Sequence, residues 1–195
     1  MQIDRVTLAG RFVRLEPLTE QHIPGLARAG LHADLWRYML YGNVDTPEKM
    51  RHFVLDLLRR EAAGGDLPFA VVNPQTREPI GCTRYLDIEP RYLRLEIGGT
   101  WYAPEWQRTR VNTECKFLLL RHAFENLGCI RVQFKTDILN TRSQLAIERI
   151  GAVREGVLRN HMIRPDGTVR DSVIYSIIDA EWPAVSARLQ ELLAR

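Results

Sequence analysis

The stretch Trp101-Tyr102-Ala103-Pro104-Glu105-Trp106-Gln107-Arg108-Thr109-Arg110-Val111-Asn112-Thr113-Glu114 decides how the rest of the chain is read. A strand of β-forming residues runs into a proline, a short polar turn follows, and a helix opens near Thr113. A helix N-terminus carries unpaired N–H groups and a partial positive charge, which together bind phosphate. The turn adds two arginines, a threonine and an asparagine at that point. A strand, turn and helix with such a mouth point to a nucleotide-type cofactor held by its pyrophosphate.

Upstream of this turn the sequence predicts three strands, Phe69–Val72, Ile80–Ile88 and Leu93–Tyr102. The turns between them are short, Pro74-Gln75-Thr76-Arg77 being the first, so the strands pair as an antiparallel meander. Before them, Phe12–Leu18 alternates as a strand, and Thr19 caps a helical stretch. His22 stands where a capping box has Glu or Gln, so a simple cap is expected. A second helix opens at Pro47 under a Thr46 cap, shows one apolar face through Met50, Phe53, Val54, Leu57 and Leu58, and stops at Gly64-Gly65. Downstream, the helix Thr113–Leu127 ends at Gly128, and Ile130–Phe134 is a strand reached by a parallel-type crossover. Asn140 caps a helix that runs to Ile150. Val157–Ile163 and Val169–Ile177 flank Pro165-Asp166-Gly167 as a hairpin, and Asp179 caps a last helix with Pro183 in its first turn. Strand and helix alternate without repeat, low-complexity segment or linker. The expectation is a single α/β domain over residues 1–195, one mixed layer with helices on its faces.

The 195 residues suffice for a full hydrophobic core, and the apolar fraction of 45% is that of a globular protein. The net charge of +3 is too mild to make nucleic acid the main partner. The cysteines, Cys82, Cys115 and Cys129, are odd in number and lack framework spacing, which suggests a reducing, cytoplasmic setting. No signal peptide and no bilayer-length apolar run is visible, so no membrane role is expected. The five histidines show no metal spacing. Cys82 has no histidine or basic residue in a context that would activate it as a nucleophile.

This order of elements, with a phosphate-binding turn after a central strand, resembles the GNAT superfamily of acyl-CoA-dependent N-acyltransferases. Within it the chain is similar to the branch of the ribosomal-protein N-terminal acetyltransferases (RimJ/RimL type). Three local matches carry the resemblance: Glu96-Ile97-Gly98 before the turn; Pro104-Glu105-Trp106-Gln107 through Asn112, with Glu114; and Asn140-Thr141-Arg142-Ser143 leading to Ala146 and Ile150-Gly151-Ala152. The resemblance implies a mixed, mostly antiparallel central sheet flanked by helices on both faces. It implies acetyl-CoA as cofactor, direct acetyl transfer in a ternary complex, and a primary amine as acceptor, either a protein N-terminus or a small molecule. A homodimer is expected on the same analogy. Two positions depart from the family. Its pyrophosphate loop is R/Q-x-x-G-x-G/A; Gln107 keeps the first place, but Arg110 and Asn112 replace the small residues. Glycine there lets backbone approach phosphate, whereas helical dihedrals at those positions suit any residue. Ile147 falls where many members carry the tyrosine that protonates the leaving thiolate. These departures leave an alternative, a CoA-binding regulatory module with impaired catalysis. RNA-associated action would rest on arginine content alone.

Under the resemblance, Glu96 is the candidate base, or else an exposed strand carboxylate paired with Arg84 or Arg94; Glu16, Asp87 and Glu89 are weaker alternatives. Ser143 is the candidate donor to the sulfur, or else bonds its own helix. Asn140 caps its helix or meets the pantetheine arm. A backbone N–H near Trp101, Tyr102 or Ala103 would stabilise the oxyanion, with Gly98-Gly99 favouring a bulge. Backbone N–H groups of Gln107, Arg108, Thr109, Arg110, Val111, Asn112 and Thr113 would hold the pyrophosphate; Arg108 and Arg110 add charge or are solvated surface. Tyr85, Trp101 and His161 line the acceptor pocket, unless the aromatics are core.

Overall fold

Eight strands form one sheet because successive segments alternate side chains between two apolar layers. The computed structural model describes residues 1–195. In chain order the strands are β1 (Leu8–Ala9), β2 (Arg14–Pro17), β3 (Leu67–Val72), β4 (Pro79–Glu89), β5 (Arg94–Tyr102), β6 (Arg131–Asp137), β7 (Val153–Ile163) and β8 (Val169–Ile178). The helices are α1 (Ile23–Gly30), α2 (Ala33–Trp36), α3 (Pro47–Ala62), α4 (Arg110–Arg121), α5 (Thr141–Arg149) and α6 (Trp182–Ala194). The sheet order is β1-β2-β3-β4-β5-β6-β8-β7, and every pair is antiparallel except β5 with β6. The meander and the parallel crossover through α4 are those expected from the sequence. Because β8 takes the place beside β6, β7 is left at the sheet edge.

One face carries Leu95, Ile97, Tyr102, Val132 and Phe134 against Leu118, Leu119 and Leu120 of α4 and Val185 and Leu189 of α6. The other carries Ala70, Val72, Cys82 and Trp101 against Leu26 of α1 and Met50, Phe53, Val54 and Leu57 of α3. The helices start where the caps were expected, with three corrections. Thr46 Oγ1 accepts from Lys49 N–H at 3.2 Å and Asn140 Oδ1 from Ser143 N–H at 3.0 Å, as expected. At Thr19, His22 does serve as the reciprocal partner: its Nδ1 accepts from Thr19 N–H at 3.0 Å, as a capping-box glutamate would. Asp179 opens a short 3₁₀ turn ahead of α6, and it is Glu181 Oε2 that accepts from Ile178 N–H, at 3.0 Å.

The remaining correction concerns α4, which starts at Arg110, three residues before Thr113. Thr109 is its cap; the hydroxyl accepts from Val111 N–H at 3.2 Å and donates to Trp106 O at 2.7 Å. Glu114 then ties the helix to the N-terminal segment. Its carboxylate accepts from the backbone N–H groups of Arg11, Phe12 and Val13 at 2.8, 2.5 and 2.7 Å. Gly10 permits that approach, since a Cβ there would lie 2.4 Å from the carboxyl carbon of Glu114.

Candidate active site

The sheet opens in its middle. The parallel β5–β6 pairing covers only Arg94, Leu95 and Glu96 against Arg131, Val132 and Gln133, after which the strands part. Beyond that point β5 stays paired with β4, across a bulge, and no longer with β6. Cys82 opposes Trp101 and Arg84 opposes Gly98, so Gly99 and Thr100 share one partner residue, and Gly99 takes φ +58°. This is the bulge expected at Gly98-Gly99.

Glu96 stands at the point of divergence, 2% exposed, on the face opposite Leu95 and Ile97. Its Oε2 accepts from Gln133 Nε2 at 3.0 Å and faces Lys135 Nζ at 3.2 Å. These partners replace the Arg84 or Arg94 pairing considered from sequence: Arg84 turns to Asp66, at 3.2 Å, and Arg94 lies 3.9 Å from Glu89. Burial raises the Glu96 carboxyl above the ordinary range, and Lys135 and Gln133 offset part of that rise. Glu16, on β2, is engaged by Arg14 and His22 and is separated from β5 by β3 and β4. Asp87 sits 3.6 Å from Lys135 at a positive φ of 47°.

A polar patch continues from Glu96 along the same face. Gln133, Lys135 and Asp137 alternate on β6. Asp137, buried, takes a two-point contact from Arg164 at 2.9 and 3.0 Å. Arg170, also buried, donates to Ser172 Oγ at 3.1 Å and to Tyr38 O at 3.4 Å. His161 of β7 belongs to this patch. Burial lowers its proton affinity, and the nearby Lys135 and Arg170 lower it further. The sequence reading found His161 but missed Gln133, Lys135, Asp137, Arg164 and Arg170. The available signal was the polar alternation in β6, where Gln133, Lys135 and Asp137 interleave with Val132, Phe134 and Thr136 in a central strand.

Tyr85 and Trp101 are not in this patch. Tyr85 is fully buried on the α4 face, with its hydroxyl donating to Leu119 O at 2.6 Å. Trp101 is 3% exposed and packs with Trp36 and Phe53 under α1 and α3, its ring 5.4 Å from that of Trp36. Both side chains are core, which corrects their assignment to the acceptor pocket.

On the α4 side of the opening, backbone donors are free. The N–H groups of Arg108, Thr109, Arg110 and Asn112 have no protein acceptor, whereas Gln107 N–H is spent on Pro104 O at 3.2 Å and Val111 N–H on the Thr109 cap. Gln107 instead bridges by its side chain. Its Nε2 donates to Tyr102 O at 2.9 Å, and its Oε1 accepts from Arg142 Nη2 of α5 at 2.5 Å. Arg110 is the first helical residue, so no glycine is needed there; its guanidinium lies over the Phe12 ring at 5.5 Å. The left-handed residue of the turn is Arg108, with φ +61°. Thr113 is buried, and Asn112 Oδ1 accepts from the Tyr102 hydroxyl at 3.2 Å.

The backbone at the end of β5 is equally specific. Ala103 N–H donates to Ile80 O at 2.9 Å, so it is not a free donor. Trp101, two residues back and opposite Cys82, points its N–H the same way. Tyr102 lies between them and points its N–H and carbonyl away from β4, as its bond from Gln107 requires. On α5, Ser143 is half-buried with a hydroxyl that bonds no protein group, and Ile147 is 8% exposed in the core. Burial pushes the Cys82 thiol up to about 12, which leaves it protonated and unreactive. No group of three or more His, Cys, Asp or Glu residues is placed to hold a metal, and no helix is long and apolar enough to cross a membrane.

Residues 13–153 match the model of the acetyltransferase (GNAT) domain. A T. thermophilus protein assigned as an acetyltransferase is 40% identical in sequence, with a TM-score of 0.89 over 99% of this chain and 100% of its own. A GCN5-related N-acetyltransferase from Brucella melitensis is 29% identical, with a TM-score of 0.92 over 98% of this chain and 86% of its own. RimJ of Mycobacterium smegmatis, solved in complex with CoA-disulfide, shares the fold at 21% identity, with a TM-score of 0.78 over 96% of this chain and 93% of its own.

Proposed function

The chain belongs to the acetyltransferase (GNAT) family, and from that premise we propose that it is a single acyltransferase unit that moves the acetyl group of acetyl-CoA to a primary amine by direct attack in a ternary complex. The observation that carries this reading is the opening between β5 and β6, which is served from both faces. Unspent amides of the α4 mouth lie on one side, and a buried carboxylate lies on the other.

The residues present fit the cofactor. The free N–H groups of Arg108, Thr109, Arg110 and Asn112, at the positive end of α4, form a concave donor set suited to a diphosphate. The side chains of Arg108 and Arg110, both exposed, add positive charge. When bound, acetyl-CoA supplies an acetyl group activated as a thioester. Tyr102 N–H, directed into the opening, is the donor for the oxygen that gains charge during attack.

Glu96 takes the proton that the acceptor ammonium must lose, directly or through one water. Its raised proton affinity suits that task better than an exposed carboxylate would, and Gln133 and Lys135 fix its orientation. Ser143, whose hydroxyl has no protein partner, and Asn140, which positions it through the helix cap, serve the sulfur end. His161 and the polar patch of β6 and β8 face the acceptor.

The acceptor is a protein N-terminus or a small amine. A place in the RimJ/RimL branch is supported by the shared fold and by the Asn140–Ser143 segment. We take the protein to act in the cytoplasm, on amines and not on nucleic acid or membrane, and a homodimer agrees with the unpaired outer edge of β7. The test is release of free thiol from acetyl-CoA in the presence of an amine panel that includes peptides with free N-termini. Turnover with at least one amine is expected; tight CoA binding without turnover on any amine would favour a non-catalytic CoA-binding module.

A further inference from the structure

Lys116 is a buried cation that this mechanism leaves unused. It projects from the second turn of α4 and is 7% exposed. Its Nζ donates to Thr100 Oγ1 at 2.8 Å and lies 5.9 Å from the centre of the Phe134 ring. Thr100 is in turn 2.8 Å from Thr83 Oγ1 on β4. No carboxylate pairs with the ammonium, and burial pushes its pKa down to about 8.

Its two contacts define its place. Thr100 lies on β5 beyond Glu96, and Phe134 lies on β6 beyond Gln133, the residues where pairing of the two strands ends. Nζ therefore reaches between the parted strands from the α4 face, while Glu96 looks out from the opposite face. An ammonium has three donors, and the protein accepts one. A buried charge with so few acceptors is costly on its own. An acceptor brought into the opening from outside would offset that cost.

We propose that Lys116 is a cofactor-binding residue that donates a hydrogen bond, from within the opening, to a carbonyl oxygen on the thioester-bearing arm of acetyl-CoA. The proposal rests on the acetyl-CoA reading above. Two carbonyl types share this chemistry, the amides of the arm and the thioester itself, and they are separable by ligand.

Calorimetric titration of the wild type and of Lys116→Met with CoA and with acetyl-CoA tests it, together with thermal unfolding of each unliganded protein. Methionine matches the side chain in size without its charge, so the unliganded variant should melt at the same temperature or higher. Affinity should fall roughly 10- to 100-fold, the loss expected for one charge-assisted hydrogen bond. An equal fall for both ligands assigns the bond to an arm amide; a fall with acetyl-CoA alone assigns it to the thioester. Unchanged affinity for both ligands overturns the proposal, whatever the melting temperature. A wild type that binds neither ligand sinks the acetyl-CoA reading instead. Should Lys116→Met fail to fold, Lys116→Gln keeps a donor without the charge; about tenfold weaker binding is expected, and wild-type affinity overturns the proposal.

Discussion

Replacing Glu96 with glutamine keeps the shape of the side chain and removes its ability to take a proton. The carboxylate has two partners, Gln133 at 3.0 Å and Lys135 at 3.2 Å, and the amide oxygen can still accept from both. The loss should therefore fall on chemistry rather than on folding. Positioned general-base catalysis contributes about 10²- to 10⁴-fold, so kcat should drop by that factor, roughly 3–5 kcal/mol of barrier. Affinity for CoA should stay within about twofold, because Glu96 faces away from the α4 mouth and a contact not made cannot be lost. The pH dependence carries a second signature. Burial holds the Glu96 carboxyl above its ordinary value, so wild-type kcat should rise with pH through that raised value as the base ionises. The variant should lose this acid limb. Stability follows the same group with the opposite sense. A pKa raised on folding contributes stability that is complete below the unfolded value and is lost as pH rises through the folded one. Melting temperature as a function of pH should therefore fall more in the wild type than in Glu96→Gln across that window. The assay is steady-state thiol release against pH, with calorimetry for CoA. A variant with wild-type kcat, or one that keeps the acid limb, refutes Glu96 as the base.

Tyr85→Phe removes a buried hydroxyl from Leu119 O, and should cost about 0.5–1.5 kcal/mol in urea unfolding while leaving turnover and the KM for the amine unchanged. Glu114→Gln keeps one accepting oxygen and sets its NH₂ group against either the Arg11 N–H or the N–H groups of Phe12 and Val13, and should lower stability by about 2–4 kcal/mol, seen as a reduced urea midpoint with an unaltered m-value. Arg108→Gly should be more stable than Arg108→Ala by about 1 kcal/mol, because φ +61° strains alanine but not glycine; equal stabilities would mean that the turn relaxes out of that conformation.

The fold was legible wherever local chemistry was unambiguous. Pro47 with Thr46, Asn140 and the Pro165-Asp166-Gly167 turn marked their elements correctly, since caps and turns depend on neighbours in sequence. The start of α4 was missed because Arg110, Val111 and Asn112 read as loop, although Thr109 was a sound cap. The two faces of β4 and β5 could not be told apart. Both are covered by helices, so alternation separates Tyr85 from Arg84 without saying which side opens. Arg164 reaches Asp137 across 27 positions of chain, a distance over which no spacing rule operates. Gln133, Lys135 and Asp137 were within reach, because three polar residues at a period of two inside a central strand need a partner that the apolar layers do not supply.

The two departures from the family loop and helix then carry unequal weight. Arg110 costs the site little, because the position is the first turn of α4, where an arginine adopts helical dihedrals and turns its side chain outward over Phe12. The left-handed backbone falls at Arg108, a place where the family pattern asks for no glycine. Ile147 is the heavier change. It is 8% exposed and packed into the core with Ile150 and Val185, so this face of α5 has been committed to packing rather than to the sulfur. A thiolate with an ordinary pKa near 8.5 leaves without a strong acid, which makes the loss tolerable. What protonation still requires is a donor inside the opening, and only hydroxyl or ammonium groups that the protein has not already saturated can serve. Ser143 on α5, whose hydroxyl has no protein partner, and Lys116 on α4, which spends one of its three donors on Thr100, carry such unsaturated groups, whereas Lys135 is tied to Glu96 and Asp87.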